Sequence, residues 1–177
     1  LDVEHYNPNS FENLVETLET AKFDALLLDF RLTKGEGHAK FDAPTIAQLQ
    51  RTNSVSSGIH FPIFLISSES IISEYYEDFT SNDLFDLSMS KETLQSDFPK
   101  HSQLFRDFID SYRKISETKF DLSRVLEIDD LKVLDYRFYE KATDKHFANN
   151  VYRLSRLINL TLIRSIGPLI GEDVLSA

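Results

Sequence analysis

Apolar and polar positions follow two alternating patterns along the chain up to residue 115. Short unbroken apolar runs are followed by longer stretches in which apolar residues recur at helical spacing. The short runs are typical of strands buried in a parallel sheet, and the longer stretches are typical of amphipathic helices. The predicted strands are LDVEHYN, FDALLLDF, FPIFLISS and LFDLSMSK. We therefore expect an α/β domain in which helices cover both faces of a parallel sheet.

Helix-start signals support the same order of elements. Asn9 and Glu12 are predicted to cap a helix after the first strand. Asp42 is a predicted cap for the next helix, and Pro44 falls in its first turn, where proline is tolerated. Two further helices are predicted in ESIISEYYEDFTSND and KHSQLFRDFIDSYRKIS.

Beyond Ser116 the alternation stops and the pattern becomes helical. DDLKVLDYRFYEKA is one predicted helix, and residues 144–166 form a second with a nearly continuous apolar stripe. We thus expect two parts, an α/β domain over residues 1–115 and an α-helical extension over residues 116–177. Because the chain starts with leucine and stops within a helical pattern, we expect a fragment of a longer protein whose extension is truncated.

The composition is that of a globular chain, with 41% apolar and 27% charged residues among 177. Cysteine is absent, which excludes disulfides and thiolate metal sites. No apolar run reaches membrane-spanning length and no signal peptide opens the chain. We therefore expect a cytoplasmic protein without membrane contact.

The net charge of −10 is concentrated in the first part of the chain. Residues 1–115 contain 19 acidic and 10 basic residues, a net of −9, and residues 116–177 contain 10 and 9, a net of −1. Such a surface repels nucleic-acid backbones, so nucleic acid is not an expected partner. The segment from Lys145 to Arg164 is basic and has no acids, and we expect it to pack beside the acidic part rather than to bind phosphate or nucleic acid.

Candidate chemistry lies at the predicted carboxyl ends of three strands, at Asp29, Ser67 and Lys91. The carboxyl ends of parallel strands meet at one edge of the sheet, where open α/β sheets bind ligands. A carboxylate that attacks phosphorus, a hydroxyl that donates to a phosphoryl oxygen and an ammonium that offsets its charge together fit an aspartyl-phosphate site. Each residue alone also fits a plain role: Asp29 as a loop cap, Ser67 as a strand-end hydroxyl and Lys91 as a solvated residue at a helix start.

Three segments, FDALLLDFRL, FPIFLISSES and LFDLSMSKETL, resemble in this order the receiver domains of two-component response regulators. The resemblance implies a flavodoxin-like fold, with Asp29 as the phospho-acceptor, Ser67 as the switch hydroxyl and Lys91 as the phosphate partner. It also implies that Asp29 and the backbone carbonyl of Arg31 bind Mg²⁺. A histidine kinase or another protein is the partner that such a domain implies.

The chain departs from the receiver pattern at its beginning. LDVEHYN falls where receivers have their second strand, so the first strand, its helix and the acidic pair that completes the Mg²⁺ site are missing from this sequence. Asp2 and Glu4 are poor substitutes, and Mg²⁺ is expected only where that acidic pair is present. A sheet that lacks an inner strand exposes an edge, so we expect the missing N-terminal segment or another chain, such as a second copy, to fill the gap.

Further departures concern the switch. Thr33 and Glu92 stand where receivers have prolines, and Ser88 stands at the position of an aromatic switch, with Phe85 nearby but off position. Two functions stay open: a regulatory domain that accepts phosphate on Asp29, and a phosphorylation-inactive pseudo-receiver that acts as a protein-interaction module. Both fit an atypical receiver in a larger bacterial signalling or defence protein.

A conventional enzyme is not expected. The sequence has no GxSxG elbow, no P-loop and no HExxH pair, and its histidines lack metal-ligand spacing. Only His38, in an inserted loop after the first apolar strand, is placed where it could approach the site.

Overall fold

The computed structural model describes residues 2–6, 10–20, 22–30, 42–68, 72, 84–145 and 149–164. The chain forms two compact units, Leu1–Ile109 and Asp110–Ala177. The described elements up to the division are α1 (Phe11–Thr20), β1 (Leu26–Asp29), α2 (Ala43–Ser57), β2 (Ile63–Ser67), β3 (Leu87–Ser90), α3 (Lys91–Ser96) and α4 (Phe98–Glu117), within which the division falls. The helix predicted in ESIISEYYEDFTSND lies, apart from Ile72, outside the described residues.

The strands form one parallel sheet in the order β1-β2-β3. Asp29 of β1 lies opposite Ile66 of β2, and Ser67 of β2 lies opposite Ser90 of β3. Parallel strands in chain order with flanking helices are what the alternating apolar pattern predicts, so the α/β class is confirmed. The finer flavodoxin-like topology stays a prediction.

Apolar clusters cover both faces of the sheet because successive strand residues point to opposite sides. On one face, Ile63 and Leu65 of β2 pack in a cluster with residues of α1 and α2. On the other face, Phe64 and Ile66 pack against α4, where the ring of Phe105 stacks on Phe64 with centroids 4.6 Å apart. Every residue of β2 is buried. The prediction of helices on both faces is confirmed.

A buried ion pair joins α2 to the amino ends of β2 and β3. Arg51 Nη2 lies 2.6 Å from Asp86 Oδ2, and the two side chains are only 8% and 2% exposed. Arg51 also donates hydrogen bonds to the carbonyls of Phe61 and Leu84, each at 3.2 Å. Asp86 Oδ2 accepts a hydrogen bond from Ile63 N at 2.8 Å, and Asp86 N donates to Ile63 O at 2.9 Å. Both buried charges are therefore paired and hydrogen-bonded, as burial requires.

Two predictions for this unit are wrong. Residues 2–6 form no strand; they are exposed, and the Tyr6 hydroxyl accepts a hydrogen bond from Thr17 Oγ1 of α1 at 3.0 Å. The segment buries no apolar side chain that could hold it against the sheet. β1 is not buried on both faces, because Leu27 is 46% exposed. The cluster that covers its neighbour Phe64 does not include Leu27.

The helix start predicted at Asp42 is found at that position, but the predicted capping hydrogen bond is not formed. Asp42 is the N-cap residue of α2 and Pro44 lies in the first turn, but the Asp42 side chain makes no capping hydrogen bond. Asn9 lies outside the described residues. At the start of α1, Ser10 Oγ accepts a hydrogen bond from Asn13 N at 3.1 Å, which satisfies one free amide of that helix.

The second unit consists mainly of helices in its described residues. After α4 it contains α5 (Leu122–Leu126), a 3₁₀ turn (Leu131–Val133), α6 (Tyr136–Thr143), α7 (Val151–Ile158) and a π-helical turn (Asn159–Ile163). Tyr112 and Ile115 of α4, Phe138 of α6, and Val151 and Leu154 of α7 are buried in one cluster. The predicted apolar stripe is therefore used for packing within this unit.

The long helices predicted in this unit are shorter than expected. Asp135 accepts a hydrogen bond from Arg137 N at 2.8 Å, and this cap begins α6 at Tyr136. Asn150 accepts one from Arg153 N at 3.1 Å, which begins α7. Side-chain caps thus divide runs whose apolar spacing alone predicts continuous helices. Residues 146–148 and 165–177 lie outside the described part of the chain.

Candidate functional site

Polar residues end all three strands of the sheet. Asp29 is the last residue of β1, Ser67 the last of β2 and Ser90 the last of β3, and Lys91 follows as the first residue of α3. Because the strands are parallel, these residues share the carboxyl edge of the sheet. The structure thus places Asp29 and Ser67 at the predicted strand ends, and Lys91 directly after the third strand, at the start of α3.

Lys91 and Asp29 meet in an ion pair across the middle strand. Lys91 Nζ donates a hydrogen bond to Asp29 Oδ2 at 2.5 Å, although the two residues are 62 positions apart in sequence. Asp29 ends β1 and Lys91 directly follows β3, and both strands pair with β2. Since neighbouring strands lie about 4.8 Å apart, β1 and β3 are separated by about 10 Å. The lysine side chain therefore crosses the end of β2, where Ser67 lies.

Both charged side chains of this pair are accessible. The Lys91 side chain is 51% exposed and the Asp29 side chain 42% exposed. An exposed ion pair typically contributes about 0.2–1 kcal/mol to stability. The pair is thus a weak contact that a charged ligand can open, in contrast to the buried pair of Arg51 and Asp86.

Ser67 is the buried member of the group. It is 1% exposed, and among the described residues its Oγ has no hydrogen-bond partner. Buried hydroxyls are nearly always paired, and an unpaired one costs about 1–3 kcal/mol. The sheet therefore carries an unused hydrogen-bond donor at the strand end that Lys91 crosses.

Ser90 is a residue of this edge that the sequence reasoning missed. Its Oγ accepts a hydrogen bond from Thr93 N at 2.9 Å and caps α3. As a consequence α3 begins directly after β3, with Lys91 in its first turn and no loop between. A serine at the junction of an apolar run and a polar helix is the sequence signal that could have found this cap.

The described positions at which the sequence departs from the receiver pattern lie in β3, in α3 and in the core. Ser88 lies half-buried within β3, and Glu92 is exposed in the first turn of α3. Phe85 is 3% exposed and belongs to the core cluster of the α2 face. Thr33 and His38 lie outside the described residues.

Asp29 is the carboxylate that the described strand ends offer to a cation. Among the described residues, no group of three or more His, Asp or Glu side chains is placed to hold a metal ion. Arg31, whose carbonyl is implied as a ligand, lies outside them. Mg²⁺ prefers octahedral oxygen coordination, so a cation beside Asp29 needs ligands beyond those described.

Comparison of the chain with protein-family models, with curated proteins and with solved structures gave no significant match. Within the described residues, no helix has the length and apolar character needed to cross a membrane.

Proposed function

We propose that the first unit is a receiver-type signalling domain that accepts a phosphoryl group on Asp29 and thereby alters its contacts with other proteins. The observation that carries the proposal is the reach of Lys91 across β2 to Asp29, at the strand end where the buried hydroxyl of Ser67 has no partner among the described residues. A nucleophilic carboxylate, a cation and a free hydroxyl are the groups that an acyl-phosphate site uses.

The proposed step is transfer of a phosphoryl group to the Asp29 carboxylate. A carboxylate oxygen attacks phosphorus and a new O–P bond forms, which gives an acyl phosphate. The bond from phosphorus to the donor breaks, and its electron pair leaves with the donor, a phosphohistidine imidazole of a histidine kinase. The Lys91 ammonium then offsets phosphoryl charge, and the Ser67 hydroxyl donates to a phosphoryl oxygen. In this reaction the domain is the acceptor, and no enzymatic activity of its own is proposed.

The first element to respond in this proposal is α3. Lys91 lies in its first turn, and no residue of α3 is buried. A helix held by few buried contacts moves at low cost when its first residue changes partner. Transfer of Lys91 from the carboxylate to the phosphoryl group would therefore displace α3 and change the surface it presents.

Partners and location belong to the same proposal. We expect a cytoplasmic protein that contacts a histidine kinase or another protein. We also expect β1, an edge strand among the described strands, to pair with an N-terminal segment or a second copy. We propose a bound Mg²⁺ only if further oxygen ligands, such as the Arg31 carbonyl, join Asp29 in binding it. The ion would offset the negative charges of the carboxylate and the phosphoryl group. The burial of Val151 and Leu154 of α7 supports a packing role rather than a nucleic-acid recognition helix.

Incubation with acetyl phosphate and Mg²⁺, followed by intact mass measurement, tests the proposal. We expect the wild-type chain to gain one phosphoryl group and Asp29→Asn to gain none. Asp24→Asn, which removes an exposed carboxylate before the amino end of β1, is the matched control and should behave as wild type. An Asp29→Asn variant that gains as much phosphate as the wild type would refute the proposal.

A phosphorylation-inactive interaction module is the second candidate. It is favoured by the fixed position of Phe85, which is buried in the core, and by Ser88, which has no ring to reorient at the switch position. A wild-type chain that is folded by circular dichroism but gains no phosphoryl group, with or without Mg²⁺, would favour this module over the phospho-acceptor.

A further inference from the structure

His60 lies in the segment that leads into β2, at the end of the sheet opposite to Asp29. The residues on either side of it are bonded to α2 through their carbonyls. Gln50 Nε2 donates to Ile59 O at 3.5 Å, and Arg51 Nη1 donates to Phe61 O at 3.2 Å. The segment 59–61 is therefore attached to α2 on both sides of the imidazole.

The imidazole differs from these carbonyls at its buried nitrogen. The side chain is half-buried, and among the described residues the buried Nδ1 atom has no hydrogen-bond partner. A neutral imidazole can leave Nδ1 as an unprotonated acceptor, whereas an imidazolium carries N–H on both nitrogens. Protonation would thus create a buried, charged N–H group without an acceptor, which is costlier than an unpaired neutral atom.

The charges around this segment also disfavour an imidazolium. Arg51 of α2 is the neighbouring cation, and its own countercharge, Asp86 before β3, is already bonded to it at 2.6 Å. Lys22 and Asp24 stand in the segment before β1, which packs here through the rings of Phe23 and Phe61. Burial, and to a lesser extent the charge of Arg51, lower the pKa of His60 below its ordinary value of 6.5.

We propose that His60 is an acid-sensitive latch of the first unit. The neutral imidazole allows segment 59–61 to stay hydrogen-bonded to α2, and protonation releases this segment and with it the amino end of β2. The unit is thereby loosened at mildly acidic pH. The device does not depend on phosphorylation of Asp29, because it acts at the opposite end of the strands.

The direction of the pH effect follows from linkage. The unfolded chain binds a proton at His60 more readily than the folded chain does, so acidification favours unfolding. The effect is absent above the ordinary value of 6.5 and grows as the pH falls below it. At a pH below both pKa values of His60, the ratio of folded to unfolded chain is reduced. The reduction is about tenfold for each unit by which the pKa in the folded chain lies below the pKa in the unfolded chain.

Urea unfolding of the full chain, measured at several pH values between about pH 8 and about pH 5, tests the latch. We expect the wild type to lose stability as the pH falls over this range, and His60→Gln to lose less. The difference between the two chains should be about tenfold in the folded-to-unfolded ratio for each unit by which folding lowers the pKa of His60. His5→Gln is the matched control, because His5 is exposed, and it should lose as much as the wild type. Each chain is compared with itself across pH, so a constant cost of the substitution cancels.

NMR titration of the His60 ring protons in the wild-type chain gives a second readout that needs no variant. Titration below the ordinary value of 6.5 supports the latch. Titration of His60 at or above that value would overturn it, as would a His60→Gln chain that loses as much stability on acidification as the wild type and His5→Gln.

Discussion

Replacement of Arg51 by methionine is expected to destabilise the first unit strongly, because it leaves Asp86 as a buried charge without its cation. The two side chains are 8% and 2% exposed and lie 2.6 Å apart. Removal of one partner from a buried ion pair costs about 3–5 kcal/mol. Methionine keeps an unbranched apolar chain, so little of the loss comes from packing. A domain of ordinary stability, about 5–15 kcal/mol, would lose a large share of it.

Urea unfolding followed by far-UV circular dichroism at neutral pH measures this loss. Lys91→Met is the matched control, because it breaks an ion pair of equally short distance whose side chains are 51% and 42% exposed. We expect the control to cost at most about 1 kcal/mol. The double variant Arg51→Met with Asp86→Asn should recover part of the loss, since an amide oxygen can still accept from Ile63 N without a buried charge. If Arg51→Met costs no more than Lys91→Met, the argument from burial is refuted.

Three further outcomes can be checked by the same unfolding measurements. Ser67→Ala should leave stability unchanged or raise it by about 1 kcal/mol, because the lost hydroxyl is buried without a partner among the described residues. Ser90→Ala, the opposite residue on β3, should cost about 0.5–2 kcal/mol because it removes the cap of α3; equal losses at the two serines would contradict this distinction. Leu154→Ala should cost the second unit about 2–5 kcal/mol, since the side chain is fully buried, and a smaller loss would show that the core there is loosely packed.

The sequence predicts the strands of the described sheet well where apolar runs are continuous. The runs ending at Asp29 and Ser67 become β1 and β2, and a third run ends beside Lys91 as β3. β2 shows why such a run indicates a strand: every residue of β2 is buried, and a strand covered on both faces needs apolar residues along its length. The alternation of helix and strand then fixes the parallel arrangement, and with it the shared edge.

The wrong predictions concern residues whose burial depends on contacts with distant parts of the chain, which the local sequence pattern does not determine. Residues 2–6 have a strand-like pattern but bury nothing, and Leu27 has an apolar neighbour on each side but lies outside the cluster that covers Phe64. The ion pair of Arg51 and Asp86 joins residues 35 positions apart, and no spacing in the sequence indicates it. Such features depend on tertiary contacts, which propensity and periodicity do not contain.

The two ends of the sheet are linked through the register of β3. Asp86 exchanges hydrogen bonds with Ile63 through its own amide and its carboxylate, so the pairing of β2 with β3 is fixed at its first residues. A shift of β3 by one residue would turn each of its side chains to the other face of the sheet. Ser90 would then no longer lie opposite Ser67, and Lys91 would leave the end of β3 in a different direction. The buried charge at the amino end therefore sets the position from which Lys91 reaches Asp29, which connects the stability of the fold to the geometry of the proposed phosphate site.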